Sequence, residues 1–166
     1  PRLLAGRERV GVEARDLDID LVRVRALLAP EPSKAPAAAL RAAIQLLEGE
    51  FLDGLDLAAC PRFYEWCVGE REAVSVLRVS ALRELLGRLA GAPEEALAYA
   101  RKWTAADPLS EPAHAAVVRL LGALGRTRDA LAQYGYSRQL LESELPALSG
   151  ELDAERTFDP DLLARV

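Results

Sequence analysis

Methionine is missing from the 166 residues, histidine occurs once, and cysteine only twice. Each shortage removes a class of site. A zinc centre draws on cysteine and histidine, and His114 with Cys60 and Cys67 does not supply one, because Cys-x6-Cys is not a metal-ligand spacing. Two thiols are also too few for a disulfide framework, so both read as reduced and semi-buried in an intracellular protein. Positive charge is scarce: 21 Lys and Arg against 26 Asp and Glu leave a net charge of −5. A chain that neutralises many phosphates unaided carries a basic face and a high pI. Direct nucleic-acid binding is therefore not expected. No apolar run reaches the ~18 residues of a membrane span, and residues 1–7 lack the apolar core of a signal peptide. The expected location is the cytoplasm. The chain opens on Pro1 without an initiator methionine, as an excerpt of a longer polypeptide or a processed chain would.

Catalytic patterns are equally thin. None of the 11 glycines falls in a phosphate-cradling loop. Nucleophilic catalysis needs a nucleophile, a base and an orienting group in reach. The one imidazole, His114, sits in the first turn of a helix near Pro112, as a packing or surface residue. Cys67 has Arg71 one helical turn on, which could lower a thiol pKa, but a half-buried structural cysteine explains it as well. Glu94 and Glu95 complement a helix N-terminus and need no catalytic role. No enzyme activity, cofactor or metal is expected.

What the sequence has in quantity is helix-forming apolar residues. Half of it is hydrophobic, enough for one domain with one core. Val10 and Val12 alternate within 8–14, the only strand signal. A helix opens at Asp16–Asp20 and carries Leu21, Val24, Leu27 and Leu28. Pro30 and Pro32 end it, and 30–37 make a connector. A second helix spans about 37–48 with Leu40, Ile44 and Leu47 on one stripe, stopped by Gly49. Residues 51–55 form a loop with apolar anchors. A long helix, roughly 61–90, carries Val74, Leu77, Ala81, Leu82, Leu85, Leu86 and Leu89.

The next segment is repetitive. Gly91 and Gly125 are 34 residues apart, as are Ala96 and Ala130, and Leu97 and Leu131. A period of 34 is that of the tetratricopeptide repeat. Each glycine can take positive φ to end a helix. Pro93 and Thr127 follow as first-turn residue and N-cap. The spacing predicts one helix pair at 70–90 with 93–106, closed by Asp107-Pro108. A second pair follows at 111–124 with 127–144, with Ser110 as N-cap and Ala130, Leu131, Tyr134 and Leu141 on the inner face. Trp103 stands where a small residue is usual, and Glu142 replaces a terminal proline. The fold expected is all-α, an α-solenoid of tetratricopeptide-like antiparallel helix pairs, with one short N-terminal strand. Residues 15–145 would form the repeat domain. Residues 146–166 would be an acidic tail or capping helix, within a stretch (142–161) holding seven acids and one arginine.

Several segments together resemble the bacterial transcriptional activator domain, the helical module of antibiotic-regulatory-protein-type regulators. Gly49-Glu50-Phe51-Leu52-Asp53-Gly54-Leu55 is similar to that family's Gly-Glu-Phe-Leu-x-Gly-Leu segment. Glu72 to Leu86 resembles its long helix. Gly91 to Leu97, Asp107-Pro108-Leu109, Glu111 and Ala113-His114 resemble its first repeat and exit. Gly125-Arg126, Ala130-Leu131, Gln133-Tyr134, Leu140-Leu141 and Glu144-Leu145 resemble its second. The stretch Ala58-Ala59-Cys60-Pro61 with Phe63-Tyr64 departs from the family's more acidic, tryptophan-containing pattern. The resemblance implies that residues 1–14 are the end of a winged-helix DNA-binding domain otherwise missing from the chain. DNA would then be reached only through that domain.

The function implied is regulatory. The module would position a DNA-binding domain and contact RNA polymerase, a sister subunit or an adjoining signalling domain, and a homodimer is compatible with this. The alternative is a free-standing adaptor that scaffolds partners unrelated to transcription. In either case the first helix of each pair lines a concave face. Arg78 and Arg88 of the first pair, with Ala81 and Leu85, and Arg119 of the second, are the candidate groove residues for an acidic or amphipathic helix. Ala81 and Leu85 stand where some tetratricopeptide proteins hold a C-terminal carboxylate with Lys and Asn, so that clamp is not expected. Trp66 and Trp103 are expected to fill the core, whereas an exposed tryptophan would mark a partner surface.

Overall fold

The computed structural model describes residues 3–6, 10–12, 17–55 and 60–144. Among these residues six helices follow one another: α1 (Asp20–Leu27), α2 (Ala37–Leu46), α3 (Pro61–Arg88), α4 (Pro93–Ala106), α5 (Glu111–Ala123) and α6 (Thr127–Glu144). Each packs chiefly on its neighbours in sequence, from α1 on α2 to α5 on α6. That serial order is the architecture of an α-solenoid. Ahead of the helices lies a two-stranded antiparallel ribbon, β1 (Leu3–Ala5) with β2 (Val10–Val12), in the register Leu3–Val12, Leu4–Gly11 and Ala5–Val10. The Val10–Val12 strand was expected; its partner was not, because three residues beside the terminus give no periodic signal. The acidic stretch beyond Glu144 lies outside the described residues.

The helix limits follow from local chemistry. Pro93 sits at the first position of α4, where its missing N–H costs nothing, and Glu94 and Glu95 fill the first turn. Gly125 ends α5 with φ +71°, while Arg126 N–H reaches back to Leu121 O at 2.9 Å. That is a Schellman-type stop, which requires the left-handed residue. Gly91, its repeat equivalent, is not among the glycines with positive φ. The end of α3 tightens instead through Leu89 N–H to Leu86 O and Ala92 N–H to Leu89 O. Thr127 is the first helical residue and not the cap, since Ala130 N–H bonds to Arg126 O. Ser110 occupies the N-cap position of α5, but its side chain makes no cap hydrogen bond. The first helix begins at Asp20, four residues after the expected opening at Asp16, which itself lies outside the described residues.

One core runs through the stack. Val24 of α1, Leu40 and Ile44 of α2, Leu82 and Leu85 of α3, Ala100 of α4, Val117 and Leu121 of α5 and Ala130 of α6 are all within it. Small residues mark the closest approaches: Ala81, Ala96, Ala100, Ala113 and Ala130 are essentially inaccessible. In α6 the buried stripe is Ala130, Ser137 and Leu141 with Tyr134 half-buried, and Leu131 is 44 % exposed. The expected inner position of Leu131 is thus corrected. Residues 130, 134, 137 and 141 share one helix face, and 131 lies about 100° round from it. Its equivalent, Leu97, is 4 % exposed because α4 is flanked by both α3 and α5.

Two arginines tie the irregular segments to α3. Arg88 donates Nη2–H to Ser33 O at 2.7 Å and Nη1–H to Ala35 O. This holds the 3-10 turn Pro32–Lys34 between α1 and α2. Arg71 donates to Phe51 O at 3.0 Å and Leu52 O at 3.3 Å, and pairs with Glu50 Oε1 at 3.1 Å. A guanidinium fork can serve several carbonyls at once, so the loop after α2 is fastened although it has no regular structure.

Candidate interaction surfaces

The first surface is a groove between the same-side helices α3 and α5, across α4. It is an open cleft of about 430 Å³ lined by Arg83, Leu86 and Gly87 of α3, Trp103 of α4, and Arg119 and Leu120 of α5. The wall is mainly apolar, and Arg83 and Arg119 are both exposed. The Arg83 guanidinium carbon lies 5.8 Å from the centroid of the Trp103 ring, over its face, a cation–π arrangement. Trp103 itself is 8 % exposed, as expected of a core filler, and its buried Nε1 has no acceptor among the described residues.

Of the three arginines expected in a groove, the structure brings only Arg119 to it. Arg88 is committed to the Ser33 and Ala35 carbonyls. Arg78 lies beside Glu48, where with Lys102 it favours the ionised carboxylate. Ala81 and Leu85, expected to face the groove with them, are fully buried. The cleft opens on the other side of α3, where Arg83, Leu86 and Gly87 stand. Arg83 went unrecognised because its sequence surroundings do not differ from those of Arg78. Only the stacking of α5 across α4 separates them.

The second surface is aromatic. Before it reaches the core, α3 presents Phe63, Tyr64 and Trp66 on its first two turns. Trp66 is 49 % exposed and Tyr64 58 %. The Trp66 ring meets Phe51 edge-on, with centroids 5.8 Å apart, and Phe63 at a tilt, 5.6 Å apart. Trp66 is therefore not a core filler: it stands half-exposed against Phe51 and Phe63, while Cys67 beside it in sequence is buried. Phe51 arrives from the loop that Arg71 fastens. In that loop Leu52 has φ +51° and Gly54 φ +74°. A left-handed leucine is uncommon and costs roughly 1 kcal/mol, so the Arg71 contact to its carbonyl maintains a conformation the residue disfavours.

The remaining reactive groups are occupied structurally. His114 is buried, with Nε2 2.8 Å from Pro108 O and Nδ1 3.1 Å from Gln133 Nε2. Both ring nitrogens thus have a polar partner inside the fold. The imidazole thus joins the α4–α5 turn to α6. Cys67 is buried and Cys60 exposed. Arg71, four residues on from Cys67, has its guanidinium engaged with the loop. Among the described residues no cluster of His, Cys, Asp and Glu could hold a metal, and no helix is long and apolar enough to cross a membrane.

Comparison with known families decides the class. The bacterial transcriptional activator domain matches residues 19–152. The chain belongs to this family. Comparison with curated proteins and with solved structures gives no match. The match to the activator domain opens at Ile19, just before α1, and takes in all six helices, both surfaces and the Gly-Glu-Phe-Leu segment. The β1–β2 ribbon precedes it. The chain is thus a transcription-activator-type domain built as a helical repeat.

Proposed function

We propose that the domain acts as a transcription-regulator module by protein–protein contact, with no covalent chemistry of its own. It positions a DNA-binding domain and contacts the transcription machinery or a sister subunit in the cytoplasm. The single observation that carries this reading is the exposed Trp66, set with Phe51, Phe63 and Tyr64 on a helix end in a chain of this family. Large rigid aromatics give contact area at little entropy cost and dominate binding energies at interfaces. The chain's acidic charge supports leaving DNA contact to a separate domain. Positioning by such a module is a population shift among arrangements of packed domains.

The test is reporter transcription driven by the full regulator, with Trp66→Ala and Tyr64→Ala introduced singly and together. Truncating an interfacial tryptophan costs about 2 kcal/mol, so activation is expected to fall by tenfold or more with helix content and DNA binding unchanged. Undiminished activation by a folded double variant would overturn the reading.

A further inference from the structure

We propose that the groove between α3 and α5 is a binding site for an acidic segment bearing leucine and phenylalanine, and that its occupant is this chain's own residues 145–166. This goes beyond the role of the aromatic face and does not depend on it.

The groove is a local concentration of positive charge on an acidic chain. Several surface arginines are neutralised by carboxylates: Arg23 by Asp18, Arg25 by Glu70, Arg41 by Glu95 and Arg126 by Asp129. Arg83 and Arg119 have no carboxylate partner among the described residues, and they stand on opposite walls of one cleft. Between them the wall is apolar and includes Leu86, Leu89 and Leu120. Two guanidiniums flanking an apolar wall select an occupant with carboxylates on its flanks and apolar side chains between them.

Trp103 adds an independent sign. It lines the cleft, it is more than nine-tenths buried, and its indole N–H lacks an acceptor among the described residues. Buried donors are nearly always satisfied. A carbonyl or carboxylate oxygen of an occupant would satisfy this one after a small tilt of the ring.

Residues 145–166 have the matching chemistry. They hold Glu151, Asp153, Glu155, Asp159 and Asp161 against Arg156 and Arg165, with Leu152, Phe158, Leu162 and Leu163 among them. They also have the reach. Helix α6 runs antiparallel to α5 after a three-residue connection, so Glu144 lies near the start of α5. Arg119 is eight residues into α5, about 12 Å along its axis. Twenty-two residues can span up to about 70 Å extended. The segment holds the groove until a partner segment of the same chemistry displaces it.

The test is hydrogen exchange of the full chain read by mass spectrometry, with the Trp103 indole N–H followed by NMR and assigned through Trp66→Phe. Amides within 151–163 are expected to be protected. Arg83→Glu with Arg119→Glu should lower that protection by about tenfold and shift the Trp103 indole signal. Adding Asp159→Arg with Asp161→Arg to that chain should restore both. Arg83→Gln with Arg119→Gln serves as the milder pair should charge reversal unfold the domain. Three results overturn the proposal: free exchange of 151–163 in the unaltered chain, protection that survives in a folded charge-reversed chain, or protection that grows with protein concentration. The last would assign the groove to a second copy.

Discussion

Arg71 donates its Nε–H to the carbonyl oxygen of Phe51 at 3.0 Å, across twenty residues of sequence. The same guanidinium reaches Leu52 O and Glu50. One side chain of α3 therefore sets where the Phe51 ring stands against Trp66. Arg71→Ala should cost about 1–3 kcal/mol of stability, since it removes the donor from the part-buried Phe51 carbonyl. Arg71→Lys should recover less than half of this, because an ammonium lacks the planar fork. Urea unfolding of the three chains measures both, and equal stability of Lys and Arg at this position would refute the forked contact.

Leu97 and Leu131 hold the same place in the 34-residue repeat but differ tenfold in exposure, 4 % against 44 %. Leu97→Ala should destabilise by about 2–4 kcal/mol, through lost burial and a cavity. Leu131→Ala should stay within about 0.5 kcal/mol of the parent. Similar losses for the two would show that another element covers α6 in solution.

Glu48, two residues past the end of α2, accepts a hydrogen bond from Lys102 of α4, and Arg78 lies near. The Lys102 hydrogen bond first, and then its charge, hold the Glu48 carboxyl below its ordinary value of 4.5. A lowered folded-state value means the contribution is present above 4.5 and fades as pH falls through the lowered value. Glu48 is exposed, so the effect is small and screened by salt. The gap in urea midpoint between the parent and Glu48→Gln should be measurable near neutrality at low salt, and should close at acid pH. A gap that widens on acidification would contradict the assignment.

The two tryptophans should report opposite environments. In a Trp103→Phe chain, the remaining Trp66 should emit at longer wavelength and be readily quenched by iodide. In a Trp66→Phe chain, Trp103 should emit at shorter wavelength and be shielded, in keeping with its 8 % exposure. Steady-state fluorescence with a quencher series decides it, and equal quenching of both would place Trp66 in a covered environment.

Where the sequence was legible, the signal was local or periodic. The limits of α4 were readable to the residue from Pro93 and the Asp107-Pro108 exit, and the repeat stood out through Gly91, Gly125 and the alanines 34 residues apart. What escaped depends on which elements stand alongside. Trp66 and Trp103 look alike in sequence; one stands half-exposed against the loop residue Phe51, the other is buried in the core. Leu131 carries the same pattern as Leu97, yet the pattern does not say that α4 packs between two of the described helices and α6 against one. Arg78, Arg83 and Arg88 all sit on α3, and only the path of α5 shows that Arg83 shares a cleft with Arg119. Phe51 was recognised as an anchor, while its fastening by Arg71 joins a loop to a helix at a separation with no periodic trace.

The aromatic face and the groove are built on the two ends of one unbroken helix. Twenty-eight residues make α3 a rod about 42 Å long. Phe63 and Trp66 stand near its first end, and Arg83 and Gly87 near its last. The core grips that rod at Ala81, Leu82 and Leu85, beside the groove, so the cleft stands on its deeply packed end and the aromatic face projects from the other.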